Sequence, residues 1–166
     1  ELGKFLIDES LYKGAKPVLW STVEKTALAD AEVEYEDHTS NTIYVKFLIS
    51  ESDDKDLVGS NIVIWTTTPW TIPGNRALAY GNDLDYCSIE VDEVKDSSLA
   101  EVGEKLIFAK DLLVNVTNEI GILKYSILKN FKGSNLATCQ CHHPFKDLGY
   151  NFIVRPFHGE FVNLEQ

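Results

Sequence analysis

The residues with the clearest chemical potential form one short run, residues 66–76, which is rich in threonine and contains two prolines. Its polar and aromatic side chains are Thr66, Thr67, Thr68, Trp70, Thr71 and Asn75. Hydroxyl and amide groups can bind a carbonyl oxygen, a ribose hydroxyl or a positioned water. Pro69 and Pro73 stiffen the run, because proline fixes its own φ and restricts the residue before it. Stiffness suits a site whose polar groups must be in place before a substrate arrives.

A strand is predicted directly before this run, because residues 61–67 are mostly β-branched and aromatic. Successive strand residues face opposite sides, so Thr66 and Thr68 should point one way and Thr67 the other if the strand continues to Thr68. The alternative is purely structural: threonine suits a strand, and the tryptophan packs in the core. The residue types alone leave both interpretations open.

A second group of reactive side chains lies at residues 139–143, with the pattern Cys-x-Cys-His-His. Zinc is a possible ligand, but a usual tetrahedral site needs two separated pairs of ligands, and no second pair exists in the chain. We therefore expect a surface turn and no metal. The odd number of cysteines, three, indicates reduced thiols rather than a disulfide framework.

The formal net charge of −11 has the wrong sign for a protein that binds nucleic acid by itself. Residues 122–158 are the exception, with five basic residues against the single acid Asp147. Their basic residues are Lys124, Lys129, Lys132, Lys146 and Arg155. This segment is either where phosphate contacts arise or simply a solvated face.

The elements that must position these groups are mostly short strands. Strands are predicted at 42–49, 61–67, 105–109, 122–129 and 151–157, with a hairpin formed by 76–80 and 86–91 around the turn at 81–83. A helix is predicted at 110–120, with Gly121 as its stop. Many short strands and few helices predict a mainly β fold, a closed β-barrel-like domain with a few peripheral helices.

Both ends of the chain look cut: there is no methionine, and residues 161–166 read as an unfinished strand. Residues 1–15 are interpreted as the tail of a preceding segment or linker, and residues 16–166 as the domain itself. No apolar run approaches a membrane span, and no signal peptide opens the chain. A cytoplasmic location without membrane contact is expected.

Residues 65–76 closely resemble the threonine-rich motif in the editing domain of bacterial isoleucyl-tRNA synthetases. The related leucyl and valyl enzymes carry arginine and an acidic residue where this chain has Thr68 and Trp70. Other segments similar to that domain are residues 16–21, 26–35, 143–145, 149–150 and 158–162. The resemblance therefore spans nearly the whole chain.

The resemblance implies hydrolysis of valyl-tRNA for isoleucine by attack of water on the aminoacyl ester. Isoleucyl-tRNA synthetase is itself the standard example of the underlying problem, since one missing methylene is worth only about 1–3 kcal/mol. It implies catalytic roles for Thr67 and Thr68, which would orient substrate and water. Thr66, Trp70, Thr71 and Asn75 would bind substrate, and Trp70 would form a wall that excludes isoleucine.

The implied partners are the 3′ aminoacyl end of the tRNA for isoleucine and the rest of the synthetase, with the isolated domain a monomer. No cofactor is implied in this domain; the parent enzyme uses ATP and Mg²⁺, and zinc modules can occur elsewhere in it. A second family signature, which includes an aspartate that anchors the substrate's ammonium group, is absent, so the C-terminal part of the domain is expected beyond Gln166. The alternatives are a non-catalytic β-barrel module that grips a nucleotide or tRNA end, and a small zinc-stabilised interaction domain.

Overall fold

The computed structural model describes residues 1–162, which fall into two compact units, residues 1–39 and residues 40–162. The first unit contains helix α1 (Leu2–Ile7) and a small antiparallel ladder of β1 (Trp20–Ser21) and β2 (Thr26–Ala27). Every residue of this unit is exposed or half-buried. The predicted boundary between residues 15 and 16 stays a prediction, and residues 163–166 of the predicted terminal strand lie outside the described residues.

The second unit is built on one eight-stranded sheet. Its strands are β3 (Ile43–Glu51), β4 (Asn61–Thr66), β5 (Ala77–Tyr80), β6 (Asp85–Val94), β7 (Lys105–Ala109), β8 (Ile122–Lys132), β9 (Gln140–His142) and β10 (Ile153–His158). Their order is β5-β10-β9-β3-β4-β7-β6-β8. The β5–β10 and β4–β7 pairs are parallel and the other pairs are antiparallel. The predicted mainly β fold is confirmed.

The sheet is buried on both faces where its strands are most apolar. In β7, Leu106 and Ile107 are each 1% exposed but belong to different core clusters, since neighbouring strand residues face opposite sides. One cluster includes Phe47 and Val154, and the other includes Cys87. Both faces of the sheet are therefore packed at its central strands. Strand β4, which leads to the candidate site, is one of these central strands.

Strands β5 and β8 are the edges of this sheet, and no ladder joins them within residues 1–162. Leu78 of β5 and Phe131 of β8 nevertheless pack in the same core cluster, so the sheet curls around it. After β8 the chain also approaches the turn after β5 so closely that a Cβ at Gly133 would lie 2.0 Å from the Gly81 carbonyl oxygen. Only glycine fits there. Closure of the barrel stays a prediction.

The predicted hairpin of β5 and β6 is wrong. A turn does form at residues 81–84, where the Leu84 N–H donates to the Gly81 carbonyl oxygen (3.3 Å). However, β5 pairs in parallel with β10, while β6 lies between β7 and β8. Since residues 86–89 of β6 are all buried, that strand needs a neighbour on each edge, and turn signals do not specify which strands these are.

The predicted helix is confirmed as α2 (Leu113–Ile120), preceded by a 3₁₀ turn at Lys110–Leu112. It ends at Gly121, whose φ of 83° lies in the left-handed region that glycine adopts without strain. Among residues 1–162, no helix is both long and apolar enough to cross a membrane.

Candidate functional site

Strand β4 delivers the threonine-rich run to the end of the sheet. The strand ends at Thr66, and a 3₁₀ turn follows at Pro69–Gly74. The Thr68 N–H donates to Thr66 Oγ1 (3.0 Å), and both the N–H and the hydroxyl of Thr71 donate to the Thr68 carbonyl oxygen (3.1 and 2.7 Å). Residues 66–75 are called the threonine turn below. Hydrogen bonds within the turn hold it in place, beginning at Thr66.

The exit of the threonine turn is also fixed. The Asn75 N–H donates to the Ile72 carbonyl oxygen (2.9 Å), and Asn75 Nδ2 donates to the Ala77 carbonyl oxygen (3.2 Å). The Arg76 guanidinium lies over the Phe152 ring, 3.6 Å from its centre, in a cation–π contact. Because Asn75 Nδ2 is engaged inside the chain, its Oδ1 remains for a ligand.

The side chains of the threonine turn differ in exposure. Thr67 is exposed, whereas Thr66 and Thr68 are half-buried. Strand β4 ends at Thr66, so the alternation of faces predicted for a strand that continues to Thr68 does not extend to Thr67 and Thr68. The hydroxyl oxygens of Thr67 and Thr68 lie 3.4 Å apart, so one water or ligand oxygen can contact both. Trp70 is 73% exposed and Trp65 is 43% exposed, so the alternative in which a tryptophan of this run packs in the core is wrong.

The threonine turn forms an open surface. A cavity in this part of the sheet has Trp65, Tyr44 and Phe108 in its wall, together with other mostly apolar residues. Among the residues that the structure describes, that wall contains none of the predicted site residues. The structure therefore brings Thr66, Thr67, Thr68, Trp70, Thr71 and Asn75 together on one turn but not around one enclosed pocket.

The predicted surface turn at residues 139–143 is wrong. Strand β9 lies between β3 and β10, with Cys141 opposite both Ile49 and Val154. Cys139 is 2% exposed and Cys141 is 0% exposed. Burial raises the pKa of the Cys141 thiol to about 12, so this group stays protonated. A three-residue strand is too short to show alternation, which is why the sequence did not reveal it.

These reactive side chains are engaged in packing. The Cys139 thiol donates to Ser52 Oγ (3.5 Å), and burial also raises the pKa of Cys139. Within the described part of the chain, no group of three or more His, Cys, Asp or Glu side chains has an arrangement that could hold a metal ion.

His143, which sequence reasoning left without a role, contacts the threonine turn. Its ring is 1% exposed, with Nε2 2.8 Å from the Ile72 carbonyl oxygen, and its Nδ1 accepts the Phe145 N–H (3.1 Å). A carbonyl only accepts and an amide N–H only donates, so the ring is neutral with its proton on Nε2. The spacing His-x-Phe was the available signal, since Nδ1 can accept the N–H two residues later.

Most of the basic residues in 122–158 are paired with carboxylates. The ion pairs are Lys124–Glu93, Lys129–Asp54, Lys129–Asp56 and Lys132–Asp85. Lys146 and Arg155 form no ion pair within residues 1–162. The basic excess of this segment is thus largely balanced by acids from elsewhere in the second unit, as expected of a solvated face.

Comparison with known proteins gives a consistent assignment. The chain matches the family model of tRNA synthetases class I (I, L, M and V) over residues 2–162. It is 49% identical over 166 residues to an isoleucine–tRNA ligase from Pelagibacter ubique, an alignment that covers 100% of this chain and 18% of that protein. It is 47% identical to the enzyme of that name from Gluconobacter oxydans, covering 99% of this chain and 17% of that protein.

A third relative, the isoleucine–tRNA ligase of Bartonella henselae, is 44% identical over 164 residues, with 98% of this chain and 17% of that protein covered. The chain thus spans less than a fifth of the length of these curated relatives. The family model, in contrast, matches it almost from end to end and includes the threonine turn and the segment that anchors it. The chain belongs to the class I tRNA synthetase family that comprises the I, L, M and V enzymes.

Proposed function

We propose that this chain is the editing domain of an isoleucine-specific tRNA synthetase and that it hydrolyses the valyl ester of the tRNA for isoleucine. The observation that carries the proposal is one rigid turn on which two threonine hydroxyls, 3.4 Å apart, lie beside an exposed tryptophan. The similarity to isoleucine–tRNA ligases over the whole chain supports the choice of substrate.

The proposed reaction needs no protein nucleophile, because an aminoacyl ester is already activated. Water attacks the ester carbonyl carbon, the bond from that carbon to the ribose oxygen breaks, and the ribose oxygen takes up a proton. Thr67 and Thr68 orient the water and the carbonyl oxygen, and the adjacent ribose hydroxyl of the terminal adenosine assists. Thr66 Oγ1 already accepts the Thr68 N–H, so Thr66 acts mainly by shaping the turn.

Specificity in this proposal comes from size. Trp70 lies in the 3₁₀ turn and is 73% exposed, so its ring is free to face a ligand. A rigid ring sets a steric limit that admits valine and excludes the larger isoleucine. Thr71 and Asn75 Oδ1 complete the substrate contacts on the same turn.

The proposed partners are the 3′ aminoacyl end of the tRNA and the remainder of the synthetase. Since the net charge is −11 and most lysines of 122–158 are paired, the remainder supplies most phosphate contacts. The domain acts in the cytoplasm as a monomer and holds no cofactor. ATP and Mg²⁺ serve the parent enzyme outside this domain.

The test is release of valine from valyl-tRNA for isoleucine by the full-length protein. The double variant Thr67→Ala, Thr68→Ala should slow hydrolysis by about 100-fold, the usual effect of losing groups that stabilise the developing charge. Ser126→Ala, which removes an exposed hydroxyl on β8, is the matched control and should keep the full rate. An unchanged rate in the double variant would show that these threonines are not the site.

A second candidate is a non-catalytic module that binds the nucleotide end of a tRNA. The observation in its favour is that residues 66–75 contain no titratable side chain and hence no general acid or base. Trp70→Ala separates the two functions. Editing predicts that isoleucyl ester, spared by the unaltered protein, is hydrolysed by this variant, whereas simple binding predicts weaker affinity and no hydrolysis of either ester.

A further inference from the structure

The middle of the threonine turn is attached to a distant segment through one carbonyl group. The Ile72 carbonyl oxygen accepts the Asn75 N–H (2.9 Å) inside the turn and also contacts His143 Nε2 (2.8 Å). Ile72 is 3% exposed, so this oxygen has little access to water as a substitute partner. The hydrogen bond from His143 therefore links the middle of the turn to the segment that follows β9, to which the Arg76–Phe152 contact also joins the exit of the turn.

His143 is itself held in place. Its Nδ1 accepts the Phe145 N–H (3.1 Å), and its ring stacks on Tyr150 with the centroids 5.1 Å apart. Phe152 lies 4.9 Å away, and Phe47 of β3 meets the ring edge-on at 6.4 Å. Rotation of the imidazole would break both hydrogen bonds and this packing. The position of the Ile72 carbonyl is thus fixed relative to the core of the sheet.

A shift of the turn would move the proposed catalytic groups. Thr71 donates both its N–H and its hydroxyl to the Thr68 carbonyl oxygen, which closes residues 68–71 into one hydrogen-bonded turn. Ile72 directly follows Thr71 in the chain, so a shift of Ile72 also displaces Thr68 and Trp70. We infer that His143 is a positioning residue, which sets where Thr68 and Trp70 lie by donating from Nε2 to the Ile72 carbonyl. Its effect on catalysis rests on the proposed editing function, whereas its effect on the turn does not.

Three replacements of His143 separate the two hydrogen bonds. In His143→Asn, Oδ1 takes the place of Nδ1 and keeps the Phe145 N–H, but the side chain is too short to reach Ile72. In His143→Gln, the longer amide can place its NH₂ group where Nε2 was and restore the bond to the Ile72 carbonyl. His143→Phe keeps an aromatic ring among Phe47, Tyr150 and Phe152 and loses both hydrogen bonds.

The first measurement is hydrogen exchange of the Thr71 and Asn75 amides in the full-length protein. His143→Asn and His143→Phe should exchange these amides about tenfold faster, the factor that one lost hydrogen bond produces, and His143→Gln should return them to near the original rate. Amides of β3 around Phe47 should stay unchanged in all three. Equal acceleration in the Asn and Gln variants, or acceleration that extends to β3, would reduce His143 to an ordinary core residue and overturn the inference.

The second measurement is hydrolysis of valyl-tRNA for isoleucine by the same variants. We expect kcat to fall about tenfold in His143→Asn with little change in KM, and to recover in His143→Gln. If the unaltered protein hydrolyses nothing, the proposed function fails, but the amide exchange still decides the role of His143. A Gln variant with restored exchange and unrestored kcat would overturn the catalytic part of the inference.

A milder variant covers the case in which replacements of His143 do not fold. Tyr150→Leu removes the ring stacked on His143 and leaves both hydrogen-bonding partners in place. Exchange of the Thr71 and Asn75 amides should rise about threefold while the β3 amides keep their rate. Unchanged exchange rates at these two amides would show that the packing around His143 does not hold the turn.

Discussion

The threonine turn and residues 139–143 are two short polar runs with opposite fates. In the first, Thr67 and Trp70 are exposed, the latter by 73%. In the second, Cys141 is 0% exposed and His143 is 1% exposed. Cysteine and histidine are the more reactive residue types, yet they are the ones placed in the core. The type of a residue therefore says less about its use than the position of its strand in the sheet.

The cause lies in the two strands. Strand β4 ends at Thr66, so the following turn leaves the sheet, and all of its side chains except that of Ile72 are exposed or half-buried. Strand β9 lies between two partners and its Cys141 is buried, and a protonated thiol behaves as a small apolar group at little cost. A buried histidine is stable only when both ring nitrogens are bonded, as they are in His143.

The largest difference in stability between the core and the threonine turn is expected when an aromatic side chain is removed from each. Phe47→Ala, beneath His143 and 0% exposed, should lower the free energy of unfolding by about 3–5 kcal/mol through lost contacts and a cavity. Trp70→Ala should change it by less than about 0.5 kcal/mol, because its ring is 73% exposed. Urea denaturation of both variants measures the difference. Similar losses would mean that Trp70 packs against the protein in solution.

A smaller difference in the free energy of unfolding is expected when a small side chain is replaced in each of the two regions. Cys141→Ser should cost about 1–3 kcal/mol of unfolding free energy, since it places a hydroxyl in a site that is 0% exposed. Thr67→Ala, on the exposed turn, should stay within about 0.5 kcal/mol of the unaltered protein. The same urea titration applies. If Cys141→Ser left the free energy of unfolding unchanged, β9 would lie nearer the surface than it does in the structure.

The smallest effect concerns pH. Burial raises the pKa of Cys141 from 9.0 to about 12, so between these values the unfolded chain loses a proton that the folded chain keeps. The stability from this thiol is complete below pH 9 and is lost as pH rises towards 12. From pH 9 to pH 10 the loss should be about 1 kcal/mol.

Urea titrations at pH 8, 9 and 10 measure this slope. The variant Cys141→Ala should flatten it, although burial also raises the pKa values of Cys87 and Cys139, which contribute in the same direction. Replacing threonines of the turn should leave the slope alone, since residues 66–75 have no titratable side chain. A slope indifferent to Cys141→Ala would mean that this thiol titrates normally in the folded protein.

The sequence by itself determined the local features. Alternation of apolar residues in β3, β-branched residues in β4 and a glycine at position 121 each predicted an element that the structure contains. The two prolines predicted a stiff turn, and its resemblance to a known motif pointed to the family. These signals are readable because they arise from neighbours within a few positions along the chain.

Tertiary structure decided which elements meet. It paired β5 with β10 instead of β6, buried β9, and placed Asp54 and Asp56 beside Lys129. It also brought His143 to a carbonyl 71 positions earlier in the chain. Strand periodicity shows which face of a strand is buried but not which strand lies beside it, because pairing depends on the packing of the entire sheet. The threonine turn could therefore be predicted from the sequence, whereas the contact of His143 with it could not.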